Sequence, residues 1–209
     1  MNVLNKLAST MGRRDEVPNQ KLAEEITVRE NHKAIEELFY LIDQHEDRKV
    51  HHDCIKVLYE IGERKPALIS KHIKRFIDLL ANKNNRLVWG AMTALDTITK
   101  EVPDQVYANL PKILRAMKEG SVITKDHGIG ILIKLSCLNK YKAEVSHLLF
   151  EQLMICIPKQ LPMYAERSFI AIDKTNQEDF VKILDTRLTE LEKDSQIKRV
   201  EKVIKKLIV

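Results

Sequence analysis

The sequence predicts an all-α fold built from helix pairs that recur every 37 residues. The first supporting observation is composition: Leu, Ile, Lys and Glu are plentiful, whereas the chain has only 6 Gly, 6 Pro and 5% aromatic residues, a balance that favours helices. The second is a set of apolar positions with helical spacing that returns at a fixed interval. The third is that neither sustained polar–apolar alternation nor an Asn-Gly or Asp-Gly hairpin signal occurs, so no strand is expected.

The repeated pattern is clearest at residues 86–98, RLVWGAMTALDTI, where apolar or small residues follow the i, i+4, i+7, i+8, i+11 spacing of one buried helix face. The same face returns one period earlier and one and two periods later. Its members are Val50, Cys54, Val57, Leu58 and Ile61; Leu87, Ala91, Ala94, Leu95 and Ile98; Thr124, Gly128, Ile131, Leu132 and Leu135; and Leu161, Ala165, Ser168, Phe169 and Ile172. The second member is always small, which predicts that neighbouring helices approach closely at that level.

The chain is expected to begin with an N-terminal cap over residues 1–31, containing a short helix around residues 19–26. Residues 32–209 are expected to form the array. A first helix precedes the face at Val50, and its apolar positions are Ile35, Leu38, Leu41 and Ile42. Residues 44–47, 82–85 and 118–121 are polar or small and supply the turns inside the first three pairs.

A second apolar series lies between the repeated faces and predicts the first helix of the second and third pairs. Its members are Ile69, Ile73, Ile77 and Leu80, and then Val106, Leu110, Leu114 and Met117. Pro66 and Pro103, also one period apart, are expected close to helix starts, where the missing N–H of proline is harmless.

A final pair closes the array with a slipped register, as terminal repeats commonly do. Its apolar positions are Phe180, Leu184, Leu188 and Leu191, and then Ile197, Val200, Ile204 and Leu207. The other side of this last helix is basic, and we expect it to be a capping helix packed on the array. The total is about five pairs, and residues 1–209 are expected to form one domain.

Charge and cysteine content narrow the class of protein. A formal charge of +5 and a pI near 9.0 arise from 35 basic and 30 acidic residues, so nucleic acid or an acidic partner is permitted but not required. Cys54, Cys137 and Cys156 are widely separated and are expected to be reduced core thiols. The first residues contain no signal-peptide core, and Lys134 interrupts the most apolar run. We therefore expect a soluble cytoplasmic protein without a membrane span.

The pattern of Leu87, Ala91, Ala94, Leu95 and Ile98 resembles the second helix of a HEAT (armadillo-like) repeat. By pattern the resemblance covers about residues 32–209, and it is most specific over residues 48–135. The chain departs from the family at the position that is usually basic. That position holds His51, Val88, Lys125 and Pro162. The resemblance implies a right-handed α–α superhelix, or solenoid, that acts as a non-enzymatic scaffold for a protein partner and needs no cofactor.

In such an array the second helices line the concave wall, so positions beside the buried face form columns that a partner could contact. One column contains His52, Trp89, Asp126 and Met163, and another contains Tyr59, Asp96, Ile133 and Ile170. The scaffold hypothesis assigns three apolar anchors, Trp89, Tyr59 and Met163. It assigns four polar contacts, His52, Arg86, Lys125 and Arg167.

An alternative hypothesis starts from the only tryptophan, Trp89, and the acid seven residues later, Asp96, which share one side of a helix. They resemble features of the HEAT-like DNA alkylation-repair glycosylases, although the tryptophan and the acid of that family sit closer together. That resemblance implies that Trp89 stacks on DNA, that Asp96 stabilises a sugar cation, and that Arg86, Lys125 and Arg167 bind phosphate.

Two further interpretations remain open. Trp89 could simply fill a groove between adjacent helices, or the chain could be a subunit of a larger complex without an activity of its own. A metal site among His45, His51, His52 and Asp53 is not expected, since neighbouring residues of a helix point about 100° apart. Solvated or capping roles are predicted for these histidines instead.

Overall fold

A computed structural model describes residues 2–208. These residues form thirteen α-helices and three short 3₁₀-helices, and no strand occurs among them. The α-helices are α1 (Val17–Val28), α2 (His32–Gln44), α3 (Arg48–Arg64), α4 (Ala67–Ser70), α5 (Ile73–Leu79), α6 (Asn85–Ile98), α7 (Pro103–Ala108), α8 (Leu110–Glu119), α9 (Val122–Ser136), α10 (Lys142–Ile155), α11 (Leu161–Ser168), α12 (Gln177–Leu188) and α13 (Asp194–Ile208). The 3₁₀-helices are Leu4–Lys6, Pro158–Gln160 and Phe169–Ala171. The all-α prediction is confirmed.

The helix starts follow the local chemistry of the sequence. Three helices begin after an Asn or Asp whose side chain accepts a hydrogen bond from a first-turn N–H group: Asn31 caps α2, Asp47 caps α3 and Asn84 caps α6. Pro66 immediately precedes α4, and Pro103 is the first residue of α7. The three predicted turns lie between α2 and α3, between α5 and α6, and between α8 and α9.

The predicted first helices of the second and third pairs are each divided into two shorter helices. In the third pair α7 ends at Ala108 and α8 begins at Leu110. Pro111 lies in the first turn of α8, where it has no N–H to continue the hydrogen bonds of α7. In the second pair α4 and α5 are separated by Lys71 and His72.

Most of the twenty positions of the repeated face are buried, with two exceptions near the end of the chain. Phe169 and Ile172 are only half-buried, because α11 ends at Ser168 and the chain continues as a 3₁₀ turn. In the other series Leu114 is half-buried, and its neighbour Ile113 takes the core position.

The prediction that all three cysteines are core thiols is wrong. Cys54 is fully buried on α3, but Cys137 is exposed and Cys156 is half-buried. Both of these lie just beyond helix ends, since α9 stops at Ser136 and Cys156 is the C-cap of α10. Apolar periodicity identifies the face of a helix but not the residue at which the helix stops.

The chain separates into two compact units, and the second begins at Ile129, within α9. In the first unit α3 is the central helix, because α1, α2 and α6 all pack against it, while α5 packs against α6. The N-terminal segment is tied to α3 by Asp53, which accepts hydrogen bonds from the backbone N–H of Ser9 (2.7 Å) and from the amide of Asn19 (2.7 Å).

In the second unit α13 packs against α11 and α12. Val200 and Ile204 of α13 are buried, and Arg199 pairs with Glu166 of α11 through two hydrogen bonds of 2.8 and 2.6 Å. The buried Arg187 donates to the carbonyl of Leu153 (2.6 Å) in the last turn of α10, where carbonyl groups run out of N–H partners further along the helix. Among residues 2–208, no helix combines the length and the apolar character needed to cross a bilayer.

Candidate functional site

Tyr59 on α3 and Trp89 on α6 form an aromatic pair in the first unit. Their ring centroids are 5.8 Å apart and the ring planes are inclined by 47°, within the range for favourable aromatic contacts. Trp89 is half-buried, while Tyr59 is 7% exposed. The sequence assigned the two residues to different columns, and the structure brings them together because α3 and α6 are neighbours.

The close approach of α3 and α6 depends on Gly90, the residue next to Trp89. A Cβ atom at Gly90 would lie 2.6 Å from Cγ1 of the fully buried Ile55, well inside normal contact distance. Only glycine therefore fits at this level without movement of α3. The position of the aromatic pair thus follows directly from helix packing.

Two cations lie against these rings. The Arg86 guanidinium is 5.4 Å from the centroid of Trp89, and the Lys56 ammonium is 4.8 Å from the centroid of Tyr59. Lys56 lies one turn after His52 and one turn before Tyr59, so it shares their side of α3. We call Lys56, Tyr59, Arg86 and Trp89 the Trp89 surface.

A carboxylate from the segment that precedes α1 binds both cations. Glu16, the residue preceding α1, lies 2.9 Å from Lys56 Nζ with one oxygen and 2.9 Å from Arg86 Nη2 with the other. Glu60 contacts the same ammonium at 2.7 Å, and Arg64 pairs with Glu60 in turn. Burial opposes the charge on Lys56, but its bonds to these two glutamates raise its pKa above the ordinary value.

Asp96, the acid of the glycosylase hypothesis, is 8% exposed on α6. Its Oδ2 lies 2.9 Å from Nδ1 of His127 on α9, a hydrogen bond in which the carboxylate accepts. Nearby, burial and the negative charge of Glu60 raise the pKa of Glu63. Asp96 is therefore engaged in a contact between α6 and α9.

The histidines near the first turn have structural contacts. His51 Nε2 lies 2.6 Å from the carbonyl oxygen of His45, whose own Nδ1 accepts a hydrogen bond from the N–H of Asp47 at 3.1 Å. His52 contacts the side-chain amide of Asn84, with Nε2 3.0 Å from Nδ2, so it braces the residue that caps α6. Burial lowers the pKa of His52, partly offset by that bond. Within residues 2–208, no group of three or more His, Cys, Asp or Glu side chains is placed to hold a metal ion.

The remaining predicted contact residues lie elsewhere. Lys125 is exposed on α9. Met163 and Arg167 are half-buried on α11 of the second unit. Their assignment to a binding surface stays a prediction.

The sequence analysis missed three residues that contact the predicted site residues: Glu16, Lys56 and His127. Lys56 and His127 could have been found, because both lie on the repeated helices close to the predicted columns. Glu16 could not, since it is 70 residues from Arg86 and precedes the repeated pattern.

The chain matches no known protein-family model, and no curated protein is detectably similar to it.

Proposed function

We propose that this protein is a non-enzymatic binding scaffold, a HEAT-like solenoid of helix pairs with a period of 37 residues, that engages a protein partner. The proposed contact is the Trp89 surface of the first unit. The observation that carries the proposal is the arrangement of a half-buried Trp and an Arg beside a nearly buried Tyr on two tightly packed helices. Trp, Tyr and Arg are the residue types that most often dominate the affinity of protein interfaces.

The packing of the helices supports the repeat. The faces of α3, α6 and the first turns of α9 are buried at corresponding positions when the chain is shifted by 37 residues. Small residues recur where helices approach: Cys54 and Ala91 are fully buried, and a Cβ at Gly128 would lie 2.4 Å from Met117. These features are typical of stacked helix pairs.

The nucleic-acid alternative has weaker support. Its catalytic acid, Asp96, is hydrogen-bonded to His127 and lies almost out of contact with solvent. This arrangement does not favour contact between Asp96 and a nucleotide.

The test compares Trp89→Ala with Tyr40→Ala. Tyr40 is a well-exposed aromatic on α2, and its removal is a matched control for loss of ring surface. The partner is first captured from the source cells on the wild-type chain and identified, and its affinity for each variant is then measured with purified proteins. We expect Trp89→Ala to weaken binding at least about tenfold and Tyr40→Ala to leave it unchanged.

Thermal unfolding of both variants completes the test. Loss of a half-buried ring should lower the melting temperature by only a few degrees, about 2–4 °C for each kcal/mol in a chain of this size. Equal affinities of the two variants would contradict the proposal. Preferential binding of a DNA duplex with an abasic-site analogue, weakened steeply by salt, would instead favour the repair alternative.

A further inference from the structure

We infer that Lys56 and Arg86 form a carboxylate-binding site, that Glu16 occupies this site in the free protein, and that an acidic segment of the protein partner displaces it. This inference rests on the proposed function and specifies the chemistry of the partner. It makes Glu16 an internal competitor for the Trp89 surface.

The side chain of Glu16 can leave without disrupting the element that carries it. Glu16 is the N-cap residue of α1, yet its side chain makes no capping hydrogen bond. Asp15 instead accepts the hydrogen bond from the N–H of Val17, at 3.1 Å. The Glu16 side chain is 45% exposed and that of Arg86 is 39% exposed, so water screens this ion pair and it holds Glu16 only weakly. The Lys56 side chain is 9% exposed, and its pair with Glu16 is the stronger of the two. Glu16 can be replaced there by another carboxylate, because Lys56 keeps Glu60 as a partner during the exchange.

The two cations remain suited to a carboxylate after Glu16 leaves. Arg86 contacts Glu16 through Nη2 alone, and its Nε is buried without a hydrogen-bond partner among the described residues. A guanidinium binds a carboxylate best through two parallel N–H bonds, so this arginine has capacity that Glu16 does not use. Lys56 is only 7% exposed, and it keeps its pair with Glu60 when Glu16 departs.

The surroundings favour a peptide carboxylate over a free anion. The half-buried ring of Trp89 lies beside Arg86 and offers apolar area to the residues next to an acidic side chain, whereas Tyr59 is nearly buried and adds little. The net charge of +5 favours encounter with an acidic partner. The fitting occupant is thus an Asp or Glu side chain with apolar neighbours in a protein segment.

The single tryptophan makes the site directly observable, since all tryptophan fluorescence of the chain comes from Trp89. The probe is a synthetic peptide of alternating Glu and Leu residues, with a peptide of alternating Gln and Leu as its neutral counterpart. Binding is followed by Trp89 emission and by anisotropy of the labelled peptide. The proteins are the wild type, Glu16→Gln, the double variant Glu16→Gln/Arg86→Gln, and Glu24→Gln. Glu24 is an exposed acid on α1 and controls for the change in net charge.

We expect Glu16→Gln to bind the acidic peptide at least about three- to fivefold more tightly than the wild type, the gain that loss of the exposed pair between Glu16 and Arg86 alone allows. Glu24→Gln should bind the acidic peptide with the affinity of the wild type. The double variant Glu16→Gln/Arg86→Gln should lose the increase in affinity that Glu16→Gln gives. The neutral peptide should bind weakly to every variant. Trp89 emission should change on binding of the acidic peptide.

Several results would overturn the inference. One is that Glu16→Gln and Glu24→Gln bind the acidic peptide with equal affinity. Another is that the acidic and the neutral peptide bind Glu16→Gln equally well. The third is that the acidic peptide does not bind Glu16→Gln at about 1 mM. Tighter binding of a DNA duplex than of the peptide would assign the cations to phosphate and would also overturn it. The scaffold proposal fails separately, when Trp89→Ala leaves the affinity for the cellular partner unchanged.

Discussion

Replacement of Gly90 by Ala tests the packing on which the Trp89 surface depends. In an ideal geometry the new methyl carbon would lie 2.6 Å from Cγ1 and 3.1 Å from Cγ2 of Ile55. Ile55 is fully buried and β-branched, so its side chain has essentially one rotamer in a helix and cannot turn away. Overpacking of this kind costs about 1–3 kcal/mol, and a contact this short belongs in the upper half of that range.

The same substitution also has a favourable effect, because Ala is a better helix former than Gly by about 1 kcal/mol. The expected net result is a loss of about 1–2 kcal/mol in the free energy of unfolding. The assay is urea denaturation followed by far-ultraviolet circular dichroism, with the slope of the transition checked to be unchanged.

A double-mutant cycle with Ile55→Ala separates the two contributions. Ile55→Ala alone should destabilise by about 2–5 kcal/mol, because it leaves a cavity between α3 and α6. In that background the added methyl of Gly90→Ala has space, so the substitution should stabilise by about 1 kcal/mol. A stabilising Gly90→Ala in the wild type, or the same sign in both backgrounds, would show that α3 and α6 are not in this close contact.

Three other measurements probe further residues. Burial lowers the pKa of His72 and outweighs the opposite effect of Glu36, so the unfolded chain binds a proton at this residue more readily than the folded chain does. The free energy of unfolding should therefore fall as the pH drops below about 6.5, the ordinary pKa of histidine. His72→Phe should make the urea midpoint less dependent on pH in this range. Asp96→Ala should lower the free energy of unfolding by about 1–3 kcal/mol, because it removes the hydrogen bond to His127. Asp96→Asn should lower it by less, because the amide oxygen can still accept that bond. An Asp96→Ala variant as stable as the wild type would refute this expectation. A thiol reagent should label the exposed Cys137 of the folded chain quickly. It should label Cys54 only after unfolding, because Cys54 is buried and burial raises its pKa. Cys137→Ser should abolish the fast reaction.

The helices and their buried faces were predictable because they follow from local periodicity and from residues at helix starts, such as the N-cap Asp47 of α3 and Pro103, the first residue of α7. The position of Glu16 was not, because nothing in the sequence relates a residue in a non-repeated segment to an arginine 70 positions later. Its placement follows from the docking of α1 on α3, a tertiary contact. The candidate site thus combines a predictable part, the aromatic and basic side chains of α3 and α6, with an unpredictable one.

The comparison of Trp89 with Asp96 shows why the side of a helix does not determine exposure. A separation of seven residues is nearly two turns, so both side chains point in nearly the same direction from α6. Trp89 nevertheless keeps contact with solvent, whereas Asp96 meets His127 of α9 and is buried. The neighbouring helix decides the depth of each position. For Asp96 to stabilise a sugar cation it would have to break that bond, and a hydrogen bond to a charged group contributes about 1.5–3 kcal/mol. That energy opposes the glycosylase interpretation, whereas a binding surface centred on Trp89 needs no such change.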